Sequence, residues 1–161
     1  MSELEFLREA YEVAHDFSTD PSTQNGAILV QNGLIVARGA NHFPYGVQNL
    51  SERWVRPLKY SYVEHAERNS IFAAARNGVM TAGATMYCPW FACTDCARAI
   101  IQAGITEVVG HETTLHDGAS QSWLDSIAIA YTMLDEAGVK RRLIPGTFGI
   151  DIRFNEQVVT V

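Results

Sequence analysis

Two short stretches, Val63-Glu64-His65-Ala66-Glu67-Arg68-Asn69 and Ala92-Cys93-Thr94-Asp95-Cys96, decide how the rest of this chain is read. The first sets a His and a Glu two residues apart, and the second sets two Cys three apart. One imidazole and two thiolates supply three of the four ligands of a tetrahedral zinc ion and leave one position open, the pattern of a catalytic rather than a structural site. Thiolate and imidazole suit zinc better than carboxylate or carbonyl oxygens do. Zinc held this way lowers the pKa of a water ligand from ~15.7 to about 7, and Glu67 stands where such a water needs a proton carrier. His65 and Cys93 each lead into a run with helical character, residues 66–76 and 95–101. Both ligand groups are therefore expected to open helices, whose N-terminal amides favour thiolate.

Plainer readings compete with this one. A Cys-x-x-Cys pair alone also fits a redox dithiol. A closed structural zinc site needs a fourth Cys or His, and the remaining cysteine, Cys88, ends the apolar run Ala84-Thr85-Met86-Tyr87-Cys88, where it reads as a buried strand residue.

Taken together the two stretches resemble the zinc-dependent cytidine/deoxycytidylate deaminase superfamily, whose signature is H-x-E followed by P-C-x-x-C. They stand here as His65-Ala66-Glu67 and Ala92-Cys93-Thr94-Asp95-Cys96, with Ala92 in the place of a proline that shapes a turn and binds no metal. The segment Arg56-Pro57-Leu58-Lys59-Tyr60, shortly before Glu64-His65, adds a likeness to bacterial proteins of the deoxycytidylate deaminase type. The resemblance runs from about residue 20 to 143. It implies a five-stranded mixed sheet in a three-layer α/β/α sandwich. It implies hydrolytic deamination of a cytosine nucleotide, dCMP foremost, with one Zn2+ per chain on His65, Cys93 and Cys96. In that reading Glu67 shuttles protons, the Ala66 N–H faces the base carbonyl, and the Phe91 carbonyl receives the departing amine. The superfamily's substrate loop, Asn-Gly-x-Pro-x-Gly, stands here as Asn41-His42-Phe43-Pro44-Tyr45-Gly46. Asn41 is then a nucleotide contact, and His42, replacing the glycine, is a further candidate. Members of the deoxycytidylate type are often hexamers, so the resemblance implies a homo-oligomer, a dimer or a hexamer.

Outward from these motifs, the residues themselves place most of the elements. Leu4, Leu7, Tyr11 and Ala14 repeat at helical intervals, and Ser2 with Glu5 forms a capping-box pattern. Two apolar runs flank Asn32-Gly33, the strongest short hairpin signal. Residues 40–60 form a long loop, and loops of that length are functional or disordered. Its Arg53, Arg56 and Lys59 suit either a phosphate or a solvated surface. The helix after His65 is expected to end at Asn77-Gly78 with Ile71, Phe72 and Ala75 facing the core. Strands are expected over 85–88, 106–109 and 139–144, and a helix over 122–137 with Trp123, Ile127, Ala130 and Leu134 on one stripe. Trp90 and Phe91 serve as walls for a flat base or as core. The polar loop 111–118 forms a pocket rim or a second metal site. Residues 148–154 alternate apolar and polar, as an extra strand or an oligomer contact. The order of elements suggests an α/β/α sandwich with a hairpin start and parallel later strands.

Composition bounds the function. The length of 161 residues fits one domain, read as a core over 20–143 and an extension over 144–161. A net charge of −6 gives no general attraction to nucleic acid, so a small-molecule nucleotide is the expected partner. A nucleic-acid-editing deaminase would need a basic surface. A non-enzymatic zinc module would need neither Glu67 nor an open ligand position. A nucleoside, free-base or purine deaminase would differ in the loop of residues 41–59. No run of eighteen apolar residues and no signal peptide is present, so no membrane is expected and the cytoplasm is the expected location.

Overall fold

The Asn32-Gly33 turn forms as expected. Both residues take positive φ, 51° and 74°, which matches the twist of the strands they join. They connect β1 (Gly26–Gln31) to β2 (Leu34–Ala40) in an antiparallel pair. In this computed structural model, which describes residues 1–113, 115 and 119–161, β1 also pairs antiparallel with β3 (Thr85–Tyr87). Beyond β3, β4 (Glu107–His111) and β5 (Lys140–Ile144) add in parallel. The sheet order is β2-β1-β3-β4-β5, the mixed five-stranded sheet of the α/β class. Two crossover helices, α4 (Thr94–Gln102) and α5 (Gln121–Glu136), make the parallel part possible.

Side chains alternate across the sheet with the period of two that strands impose. Ala27, Leu29, Met86 and Val108 face one core, with Ala97 and Ile100 of α4, Ala130 and Leu134 of α5 and Ala74 of α3 (Ala66–Arg76). Ile28, Val30, Tyr87 and Val109 face the other, with Leu7, Tyr11 and Ala14 of α1 (Glu3–Phe17). These are the three layers. Two glycines set their spacing. A Cβ at Gly26 would overlap the Ala10 carbonyl and the Ala14 amide, and one at Gly39 would overlap the Ser70 amide and the Ala66 carbonyl. Backbone of α1 and of α3 thus rests directly on strand backbone, on opposite faces.

That close approach corrects the expected face of α3. Ala66, Glu67, Asn69, Ser70 and Ala74 are buried, whereas Phe72 is 52% exposed and Ala75 is exposed. A helix seated on a glycine has no room for a phenylalanine beneath it. Ile71 is partly buried, and α5 buries Ala130 and Leu134 of its expected stripe, with Trp123 and Ile127 partly covered.

The long loop has structure of its own. It contains a 3-10 turn (Ser51–Trp54) and a short helix α2 (Lys59–Tyr62). Phe43 stacks on Trp54 at 4.1 Å and lies 5.6 Å from Tyr62. The alternating tail forms a hairpin, β6 (Asp151–Phe154) and β7 (Gln157–Thr160). Ile152 and Val161 are buried with Phe148 beside Tyr11, and Glu156 N–H donates to the Ser22 carbonyl.

At the end of β4, His111 is held between two partners. Its Nδ1 lies 2.6 Å from the Tyr11 hydroxyl and its Nε2 3.1 Å from the Gly146 carbonyl. A carbonyl only accepts, so Nε2 carries the proton and Nδ1 accepts from Tyr11. Burial pushes the His111 pKa below its ordinary value. An imidazole depressed in the fold stabilises above its unfolded pKa, and that contribution is lost as pH falls through the folded pKa. The urea midpoint is therefore expected to drop between pH 7 and pH 5, and to drop less in His111→Gln. Thr114, His116, Asp117 and Gly118, on which the rim and second-metal readings also rest, lie outside the described residues. Among the described residues no helix is long and apolar enough to cross a membrane.

Candidate metal centre

Both ligand groups do open helices. His65 occupies the N-cap position of α3 and Cys93 that of α4, each with extended backbone and neither capping with its side chain. Their side chains are free to turn toward each other, and Cys96 joins them from the first turn of α4. His65 Nδ1 lies 3.5 Å from Cys93 Sγ and 3.6 Å from Cys96 Sγ, and the two sulfurs are 3.5 Å apart. A tetrahedral zinc with Zn–S near ~2.3 Å and Zn–N near ~2.05 Å requires ligand separations of about 3.6–3.8 Å. The triangle has those dimensions, and its donor set is the one zinc prefers. Among the described residues it is the one group of three or more His, Cys, Asp or Glu side chains close enough to hold a metal.

The electrostatics suit a cation. The Cys93 thiol is pulled down to about 3, by the hydrogen bond from Cys96 and, against burial, by His65. The same Cys93 contact, with burial, holds Cys96 well above its ordinary value. Without a cation the pair thus keeps one proton, which a metal displaces. Burial would lower His65, but its hydrogen bond to Cys93 and the Glu67 charge raise it overall. Arg68 fixes a positive charge alongside. Its Nη2 donates to Glu64 Oε1 at 2.6 Å, and its Nη1 lies 3.6 Å from Cys96 Sγ and 3.8 Å from Asp95 Oδ2.

Glu67 is 2% exposed. Its Oε2 is buried without a hydrogen-bond partner among the described residues. Burial pushes its carboxyl above the ordinary range, partly offset by His65. An unpaired buried acceptor of this kind is costly unless something else fills its lone pairs.

Other expected contacts have different partners. Asn41 is buried, its Oδ1 accepting the Ala66 N–H at 2.9 Å and its Nδ2 donating to the Thr23 carbonyl at 3.1 Å. The Ala66 amide expected to face a base carbonyl is thus taken by Asn41, and Asn41 braces the start of α3. His42 bridges to Glu64 through its backbone, but its ring packs on Tyr45 at 5.2 Å. It lines a cleft of about 470 Å3 between Phe17, β2 and residues 42–49, which holds none of the three metal ligands. Arg53 donates to the Gln48 carbonyl and lies over the Tyr62 ring at 4.7 Å. Lys59 is buried, with Nζ 2.7 Å from Asp20 and 3.1 Å from Ser22 Oγ. An ammonium committed in this way is a brace between the segment before β1 and α2, not a free phosphate ligand. Breaking a buried pair from one side costs about 3–5 kcal/mol. Lys59→Met is expected to lose that much in denaturant unfolding, and Asp20→Asn in the same chain to restore part of it.

Trp90 and Phe91 are both buried. Trp90 packs edge-on against Tyr11 and Phe154, and the Phe91 ring covers Gly110 and meets Tyr131. The Phe91 carbonyl lies 3.4 Å from the Tyr131 hydroxyl. Ala92, where the signature has proline, is buried. Sequence reasoning passed over Asp20, Arg68, Tyr131 and Asn25. Asp20-Pro21-Ser22 carried a turn signal, and Asp20 Oδ1 does accept from Ser22 N–H, but nothing local pairs it with Lys59.

An α/β/α sandwich that gathers one His and two Cys at paired helix N-termini, with a buried Glu beside them, has the parts of a zinc-dependent deaminase. Residues 1–112 match the cytidine and deoxycytidylate deaminase zinc-binding region, and the chain belongs to that family. It is 36% identical over 134 residues to an uncharacterized deaminase in the luxG 3′ region of Aliivibrio fischeri, covering 83% of this chain and 88% of that one. It is 36% identical over 146 residues to human deoxycytidylate deaminase, covering 86% and 78%. The crystal structure of dCMP deaminase from the cyanophage S-TIM5 in complex with dCMP and dUMP superposes with a TM-score of 0.68 at 26% identity, over 89% of this chain and 99% of that one.

Proposed function

We propose that this chain is a zinc-dependent hydrolase that converts dCMP and water to dUMP and ammonia. The observation that carries the reading is the buried Glu67 carboxylate, one oxygen of which has no partner among the described residues, next to a His65–Cys93–Cys96 triangle of zinc dimensions. The names of the similar proteins supply the nucleotide. Bound zinc would supply Lewis acidity that brings a water's pKa to about 7. Glu67 would take one proton from the attacking water and give it to the ring nitrogen, which keeps it in dUMP, and would then carry the water's second proton from the new hydroxyl to the amine, which leaves as ammonia. A carboxyl whose pKa is raised by burial holds a proton well enough to pass it on. The Phe91 carbonyl accepts a hydrogen bond from the departing amine. Asn41 keeps the first turn of α3 in place. With Lys59 committed to Asp20, Arg53 and Arg56 are the cations left on that rim for the 5′-phosphate. One zinc per chain, a homo-oligomer and a cytoplasmic location complete the proposal.

Ammonia release from dCMP, CMP, dCTP, deoxycytidine, cytosine, adenosine and guanine at equal concentration tests it. Turnover of dCMP far above deoxycytidine is the expected result. Equal rates on the nucleoside or free base would remove the phosphate from the proposal, and turnover of a purine alone would overturn the substrate.

A further inference from the structure

We propose that Asn25 is a specificity residue whose Oδ1 accepts a hydrogen bond from the amino group of the substrate ring. This rests on the reading above, that the substrate carries a ring amine.

Asn25 is 6% exposed and stands immediately before β1. Its Nδ2 donates to the Trp90 carbonyl at 2.9 Å and lies 3.4 Å from Cys88 Sγ. Turning the amide over would set its oxygen against the Trp90 carbonyl, two acceptors with no proton between them, so the orientation is settled. The oxygen therefore points away from Trp90, and among the described residues it has no partner.

Its place in the fold joins the three segments that build the metal centre. The Asn25 carbonyl accepts the Asn41 N–H at 3.0 Å, and Asn41 in turn holds the Ala66 N–H. Trp90, held by the Asn25 amide, leads through Phe91 and Ala92 to Cys93. Cys88, which that amide also touches, is pushed up by burial and by the nearby Glu67 charge. Asn25 Oδ1 and Glu67 Oε2 are thus two buried acceptors without partners among the described residues.

Acceptors without donors complement a ligand that brings N–H groups. A ring amine brings two, and departing ammonia brings three. The product offers a carbonyl at the same carbon, which sets oxygen against Oδ1 and is repelled. A single neutral oxygen thereby favours substrate over product at every pH. A site that hydrogen-bonds a substrate N–H discriminates strongly against the analogue that lacks it.

The test is Asn25→Leu, which keeps the shape of the side chain and removes the amide. KM for dCMP is expected to rise about tenfold, and dUMP to inhibit several-fold more tightly, so that the ratio of product Ki to substrate KM collapses. Asn25→Val, suited to a strand start, serves if leucine prevents folding. An unchanged ratio would overturn the proposal, because the oxygen is then served by a buried water and Asn25 only braces the Trp90 carbonyl. Turnover of dCMP by the unaltered protein, measured alongside, tests the functional reading separately. If another amino nucleotide of the panel is the one turned over, the ratio is read on its amino and oxo forms. A protein that turns over none of them overturns both.

Discussion

Glu67→Gln is expected to keep its metal and lose about 10²–10⁴-fold in turnover, the usual worth of a positioned general acid–base group. The substitution preserves shape, and glutamine fills the same buried space at the start of α3. What it removes is the carboxylate that takes a proton and gives it back. His65, Cys93 and Cys96 are untouched, so zinc content measured by mass spectrometry should equal that of the unaltered protein. KM should move little, because the loss falls on the chemical step. A variant with near-normal kcat would end the role assigned to Glu67. Normal zinc with lost turnover separates the proton carrier from the metal ligands.

Cys93→Ser is expected to lose both metal and stability. A serine hydroxyl stays protonated at neutral pH and is a poor ligand for zinc, whereas Cys93 is already favoured as thiolate by Cys96 and His65. Metal at a thousandfold excess over its Kd stabilises a fold by ~4.1 kcal/mol, which for a chain of this size is roughly 10 °C in Tm. A chelator should therefore lower the Tm of the unaltered protein by about that amount and leave the serine variant where it is. His65→Ala should behave alike. Because a metal displaces the proton that Cys96 keeps, affinity should weaken as pH falls. Full zinc occupancy in either variant would break the ligand assignment.

The site was legible in the sequence where its parts are local. A His and a Glu at the head of one helix, and two Cys at the head of another, announce themselves because spacing along a helix fixes which side chains share a turn. The hairpin was legible for the same reason, since Asn-Gly requires positive φ at adjacent residues. The Trp90-Phe91 pair was not legible. Whether an aromatic after a strand walls a cavity or fills a core depends on which neighbours reach it, and among the described residues these include Tyr11, Phe154, Gly110 and Tyr131. Lys59 looked like a phosphate ligand by composition, yet its partner lies 39 positions away in Asp20.

By itself, then, the sequence singled out His65, Glu67, Cys93 and Cys96 and determined the order of elements along the chain and the α/β class, all properties of short segments with fixed periodicity. Only the tertiary structure decided which polar groups are satisfied. It gave the Ala66 amide to Asn41, put Lys59 on Asp20 and turned Phe72 outward because α3 rests on Gly39. It also left Asn25 Oδ1 and Glu67 Oε2 without partners among the described residues. Hydrogen bonds and close packing between distant segments depend on how the layers meet, and no local pattern of residues carries that information.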